Sequence, residues 1–196
     1  ESLACRRTFN DPLLVTGSLN NLGLVAYALG DYEAARVYHE EALQVRQQFG
    51  LEGWLCQSRS NLALTLIRLG ELAEAETLAI ASLQLAQRQQ LKMSKVEVCE
   101  VLALIAAQRQ QVARAACLLG AATRLRQVFG APRDGPQEKD VVWLKEMLST
   151  AVDNNPTLWH QNWAIGQQLT LDQMTAIALE DANQPTIHSP ATHLSF

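Results

Sequence analysis

The amino-acid sequence predicts an all-α protein, an α-α superhelix in which helical hairpins stack as a solenoid and end in a C-terminal helical cap. The 196 residues include 10 glycines and 6 prolines, whereas Ala, Leu and Gln, which favour helix, are abundant. A hydrophobic share of 48% is enough to bury a core, so a disordered chain is excluded. The third observation is internal repetition at an interval of 40 residues, the distance from Asn21 to Asn61.

Two sequence motifs carry the repetition. Asn-Leu-Gly at 21–23 returns as Asn-Leu-Ala at 61–63 and, more weakly, as Val-Leu-Ala at 101–103. Leu-Gly-Asp-Tyr-Glu-Ala-Ala at 29–35 returns as Leu-Gly-Glu-Leu-Ala-Glu-Ala at 69–75. One hairpin cannot bury both of its faces, so we expect successive units to stack.

The register also divides the chain. We predict a partial unit at 1–10, units at about 11–50, 51–90 and 91–130, capping helices at 131–180 and a polar tail at 181–196. Residue 1 therefore falls inside a unit. We expect the chain to be a piece of a longer protein.

Each unit reads as two helices. Apolar residues at helical spacing, such as Leu19, Leu22 and Ala26, mark the first helix. Gly30 and Gly70 favour the left-handed conformation that ends a helix. In the third unit Gln110 stands at the equivalent position, so we expect units two and three to join more loosely.

Small residues are predicted where the two helices of a unit cross. Gly23 and Ala63 occupy this position on the first helices, and Ala35 and Ala75 on the second. The second helices are expected to be longer by a turn or more, through 44–48 in one unit and 84–90 in the next.

After a turn-rich break at 131–136, further helices are predicted. They run from Val141 to Val152, from Pro156 to Gly166, and from a capping box of Thr170 and Gln173 through Leu179. Trp143, Trp159 and Trp163 are expected to form the aromatic core of this cap.

The quoted motifs resemble the tetratricopeptide repeat, whose units have about 34 residues. That resemblance implies a right-handed solenoid. The longer 40-residue unit, and the ending with Trp159, Trp163 and Gly166, are similar to the C-terminal region of bacterial STAND or AAA-type ATPase transcriptional regulators, of MalT-like and LuxR-type kind. The resemblance implies a non-catalytic, protein-binding module that works in signal transduction and transcription regulation.

Composition and motifs argue against other classes. A net charge of −4 gives no electrostatic footprint for nucleic acid or an anionic membrane. Neither GxxxxGK[ST] nor GxGxxG occurs, and His39 lacks the second histidine of HExxH. We therefore expect no catalytic residues, no cofactor and no metal, beyond weak adventitious binding at His188 and His193. Four separated cysteines indicate buried thiols and a reducing, cytoplasmic location.

The resemblance places the first helices on a concave face that would bind a partner. Leu24, Leu64 and Leu104 share one register and are expected to form an apolar row along it. The residues expected on this face are Asn20, Leu24, Tyr27, Ala28, Gln57, Ser60, Leu64, Ile67, Arg68, Glu97, Glu100, Leu104, Ala107 and Gln108.

An apolar floor edged by Tyr27, Arg68, Glu97 and Glu100 suits an amphipathic helix or an extended peptide. A terminal carboxylate clamp is rejected, because Leu24, Glu97 and Val101 stand where that clamp needs polar or basic side chains. Three alternatives stay open. Neighbouring helices or other domains of the parent chain could cover the row, an effector could bind near Tyr27 and Arg68, or the segment could self-associate as a homo-oligomer.

Overall fold

A computed structural model describes residues 11–133, 138–144, 146 and 156–180, and all regular structure in these ranges is helical. The helices are α1 (Pro12–Ala28), α2 (Tyr32–Gln48), α3 (Leu55–Leu69), α4 (Leu72–Arg88), α5 (Lys92–Gln108), α6 (Val112–Phe129), α7 (Pro156–Gly166) and α8 (Leu171–Glu180). A 3-10 turn at Glu52–Trp54 precedes α3, and residues 138–144 are also helical. The protein is thus an all-α helical-repeat solenoid, as the sequence predicts.

The turns between these helices share one backbone conformation. Positive φ recurs every twenty residues, at residues 30, 50, 70, 90, 110 and 130. Four of these residues are glycine, and the other two are Gln90 (φ 56°) and Gln110 (φ 62°). Gln110 donates its amide hydrogen to Ala107 as Gly30 does to Tyr27, so the third unit closes with the same turn. A side chain in this conformation costs about 1 kcal/mol relative to glycine.

The crossing of α1 and α2 depends on a glycine. A Cβ atom at Gly23 would lie 2.4 Å from the imidazole ring of His39, which is 1% exposed. In the next unit the equivalent positions are Ala63 and Ala79, both fully buried. The large side chain opposite Gly23 therefore compensates for the missing methyl group. Burial and the nearby Arg46 lower the pKa of His39 to about 4, so it packs here as a neutral ring.

Polar contacts join consecutive units at their ends. Arg36 of α2 donates to Glu71, the residue that precedes α4, with Nη1 2.8 Å from Oε1. Arg109 at the end of α5 forms two hydrogen bonds to the carboxylate of Glu76 in α4, at 2.9 and 2.7 Å. These pairs are partly exposed, so we assign stacking mainly to the apolar core between the helices. That core runs continuously from Leu43 to Ala178.

Helix α7 packs backbone to backbone against α6. A Cβ atom at Gly120 would lie 2.6 Å from the carbonyl oxygen of Trp163, and one at Gly166 would lie 2.1 Å from that of Cys117. Only glycine permits this approach. Beside it, the rings of Trp159 and Trp163 lie 5.7 Å apart, in the aromatic contact that their spacing predicts.

Helix α8 completes the cap on α5 and α6. The predicted capping box is confirmed, because the Thr170 amide donates to Gln173 Oε1 (2.9 Å) and the Gln173 amide donates to Thr170 Oγ1 (3.2 Å). Met174 and Ala178 are fully buried, and Arg114 of α6 donates to the carbonyl of Ala178.

The buried thiols expected from the sequence are confirmed at Cys56, Cys99 and Cys117. Burial raises the pKa of each, so they are unreactive packing groups. Several predictions lie outside the residues that the structure describes: the partial unit at 1–10 with Cys5, the helix beyond residue 146, and the tail at 181–196 with its histidines. No helix within the described ranges combines the length and apolar character that crossing a bilayer demands.

Candidate partner-binding groove

The first helices of the three units lie side by side, and we call the surface that α1, α3 and α5 form the groove. Polar side chains connect the first two of these helices. Asn61 of α3 donates to Asn20 of α1 (2.8 Å), and Arg68 of α3 donates to the Tyr27 hydroxyl (3.1 Å). In both pairs the residue of α3 contacts the residue of α1 that comes one place before its own equivalent in the 40-residue repeat.

The groove is occupied by a later part of the same chain. In the helical segment 138–144, Asp140, Val141 and Leu144 are buried, whereas Val142 is 44% exposed. Val141 and Leu144 line the same small cavity as Leu64 and Leu104 of the groove. The sequence predicts this segment as part of the cap, but the structure places it on the first helices.

Arg68 is the centre of the contact. Its Nη2 donates to Asp140 Oδ1 at 2.8 Å, and the hydroxyl of Tyr27 donates to the same oxygen at 2.5 Å. The guanidinium carbon of Arg68 lies 3.6 Å from the ring centroid of Trp143. Trp143 is therefore engaged in the groove, although the sequence predicts it in the aromatic core of the cap. An arginine that meets a carboxylate and an aromatic face at once is held by both charge and stacking.

Burial sets the protonation of this cluster. Burial and the adjacent Asp140 carboxylate raise the pKa of Tyr27, so it stays a neutral hydrogen-bond donor. Burial also raises the pKa of Asp140, against the opposing hydrogen bonds from Tyr27 and Arg68. Within the described part of the chain, Asp140 Oδ2 has no hydrogen-bond partner. Such an unpaired buried oxygen costs about 1–3 kcal/mol.

A cavity of about 80 Å³ remains between α3, α5 and the segment 138–144. Its polar lining consists of Gln57, Ser60, Asn61, Glu97, Glu100 and Asp140. Pockets for drug-sized ligands usually have roughly 300–1,000 Å³. The cavity can therefore receive the tip of a side chain or a few waters, but not a larger effector.

Glu100 lines this cavity, but its carboxylate forms ion pairs with two arginines. Arg126 of α6 donates to both of its oxygens at 2.9 Å, and Arg133 Nη2 lies 2.7 Å from Oε1. Arg126 also donates to the carbonyl of Ala131. This buried carboxylate ties α5 to α6 and to the chain after α6.

The predicted groove residues differ in solvent exposure in the structure. Gln57 and Ala28 are exposed. Leu24, Leu64, Arg68, Glu97 and Gln108 are half-buried. Asn20, Tyr27, Ser60, Ile67, Glu100, Leu104 and Ala107 are buried. The expected apolar row is thus half-open at Leu24 and Leu64 and closed at Leu104, which is 3% exposed.

Asp140 and Trp143 are the site residues that the repeat register misses. Both follow the last repeat, where the period stops, so no register position assigns them to the groove. The one signal in the sequence is an acidic residue on the apolar face of an amphipathic helix, because a carboxylate that is buried there needs a cation nearby. The sequence leaves open which cation that is.

Comparison with known proteins identifies the repeats. Residues 15–88 match the tetratricopeptide repeat family. No curated protein matches the chain, and no solved structure matches it. With the helical pairs described above, the match identifies a region of tetratricopeptide type, and such repeats generally mediate protein–protein interactions.

Proposed function

We propose that the groove binds a helical or extended segment of a partner protein. The observation that supports this most is the segment 138–144, a short helix that already lies on α1, α3 and α5. It engages Arg68 through a carboxylate and an aromatic ring, and the half-buried Leu64 through apolar side chains. Helix-in-groove recognition relies on the same combination of apolar anchors and a few fixed polar contacts.

We further propose that the chain is a non-catalytic regulatory region of a cytoplasmic bacterial ATPase-type transcriptional regulator, with no direct contact to nucleic acid. The 40-residue unit and the ending around Trp159, Trp163 and Gly166 support this. A partner in the groove would then bias the parent between two states, because a ligand shifts a conformational equilibrium by its differential affinity for them. The contacts of Arg68 with Asp140 and Trp143 support a protein partner over a small-molecule effector near Arg68, because a helix already supplies both contacts.

Site-specific photo-cross-linking tests the location of binding. A photoreactive amino acid is placed at Gln57, which is exposed in the groove, and in a matched variant at Gln84, which is exposed on the second helix α4. In the cells that naturally contain the protein, we expect a discrete protein adduct from position 57 and none from position 84. Equal adducts from both positions, or none from position 57, would contradict binding in the groove.

A further inference from the structure

The segment 138–144 fits the groove through side chains that a separate helix could also present. Asp140 and Trp143 contact Arg68, and Leu144 lines the cavity beside Leu64. Trp143 and Leu144 lie three and four positions after Asp140, so both are on the same side of the helix as Asp140. Glu138 and Lys139, at the start of the segment, are exposed. The recognition pattern is therefore an acidic residue followed by aromatic and apolar residues one turn later.

The fit is incomplete in two ways. Asp140 is 3% exposed, yet its Oδ2 finds no partner among the residues described. Beside it, polar groups from α3 and α5 line a cavity of about 80 Å³ that the side chains of the segment do not occupy. Close-packed protein cores contain few such voids, and most of their buried polar atoms are paired within the protein or by water. The segment therefore leaves part of the groove to another occupant.

Charge complementarity restricts what can take its place. Arg68 presents a cation that is half-buried between the rings of Tyr27, Tyr32 and Trp143. If the segment leaves, this guanidinium and the Tyr27 hydroxyl lose their shared acceptor. A partner that brings a carboxylate to the same point restores both hydrogen bonds, whereas a helix with an apolar or basic residue there leaves them unmade.

We propose that the segment 138–144 is an internal ligand that closes the groove, and that the groove's partner is an amphipathic helix with a carboxylate one turn before an aromatic or large apolar residue. The proposal rests on the proposed function and names its partner class. The segment and the partner compete for Arg68 and Tyr27. The closed groove is the resting state, and binding requires the segment to leave.

A fluorescent, end-capped peptide with the sequence of residues 138–150 tests this, because it presents the internal ligand from outside. Fluorescence anisotropy measures its binding to the 196-residue chain and to two variants. Asp140→Arg places a cation against Arg68 and should release the segment. Glu138→Arg makes a charge reversal at an exposed position two residues away and should not.

We expect the Asp140→Arg chain to bind the peptide at least about tenfold more tightly than the wild-type and Glu138→Arg chains. Adding Arg68→Ala to Asp140→Arg should remove that gain. Equal binding by the wild-type and Asp140→Arg chains would overturn the proposal. So would an Asp140→Arg chain that circular dichroism shows to be unfolded, since a displaceable segment cannot be required for folding.

Peptide binding and cross-linking together distinguish a failure of the internal ligand from a failure of partner binding in the groove. If the peptide shows no preference but the cross-link at position 57 still forms, the groove binds partners and the internal ligand alone is overturned. If the peptide shows the preference but no cross-link forms, the segment is an internal ligand of a groove whose partner-binding role is contradicted.

Discussion

Helix α7 and the segment 138–144 both follow the repeats and both pack against them, but through different chemistry. Between α7 and α6 the contact is backbone to backbone, with Gly166 directly over the carbonyl of Cys117. Between 138–144 and the groove the contact is made by side chains, with Asp140 Oδ2 unpaired among the described residues and a cavity of about 80 Å³ beside it. We therefore expect the close-packed first contact to be permanent and the second to be one that another helix can replace.

The largest effect is expected in the cap. Gly166→Ala should lower the free energy of unfolding by about 3 kcal/mol, because the new Cβ atom would lie 2.1 Å from a backbone oxygen that cannot rotate away. Denaturant unfolding measures it. The control is Gly17→Ala in α1, where no atom lies within 4 Å of the added Cβ, and alanine should raise stability by about 0.5–1 kcal/mol. Similar losses at both positions would refute the close contact.

Lowering the pH should reduce the stability of the repeats but should not weaken the groove contact. Because the pKa of His39 is lowered to about 4 in the folded chain, the unfolded chain binds its proton first as the pH falls below about 6.5. Between pH 7 and pH 5 this should lower the free energy of unfolding by about 2 kcal/mol. The pKa of Asp140 is raised instead, so the docked segment binds a proton more readily than the released one, and docking should not weaken over this range.

Two measurements check these two pH dependences. Urea unfolding at pH 7 and pH 5 should show the loss in the wild-type chain and a smaller one in His39→Gln, which cannot titrate. The indole NMR signal of Trp143 should stay at its docked position at pH 5. A pH dependence identical in His39→Gln would show that this histidine is not buried in its neutral form.

The smallest effect on global stability is expected in the groove. Removing a tryptophan from a close-packed core usually costs about 3–5 kcal/mol. Trp143→Ala should cost less than about 1 kcal/mol, because the segment can leave the groove instead of holding a void open. Val142→Ala, at an exposed neighbouring position, is the control and should be close to neutral. A loss of about 3 kcal/mol at Trp143 would make the segment an integral part of the core.

Local signals in the sequence predict the repeats well. Gly30 and Gly70 mark helix ends because glycine adopts positive φ without strain, and Thr170 and Gln173 mark a helix start because their side chains cap it. Gln90 carries no such signal. The sequence places it inside an extended second helix, but α4 ends at Arg88 and Gln90 adopts the left-handed conformation of the turn.

The groove contact could not be predicted in the same way. Asp140 meets Tyr27 and Arg68 across 113 and 72 positions of sequence. The repeat period predicts how one repeat packs on the next, but it does not predict which repeats a helix after the last one will contact. Register alone predicts an apolar row that is open along its length, but Leu104 is buried, and Val141 and Leu144 of the segment line the same cavity.

Native-state hydrogen exchange tests the central distinction most directly, since it measures the free energy with which each region opens. We predict that the amides of 138–144 exchange through a local opening well below the free energy of global unfolding, and that those of α7 exchange only with global unfolding. If both regions open with the same free energy, the segment is as permanent as the cap and the account of a replaceable internal ligand is contradicted.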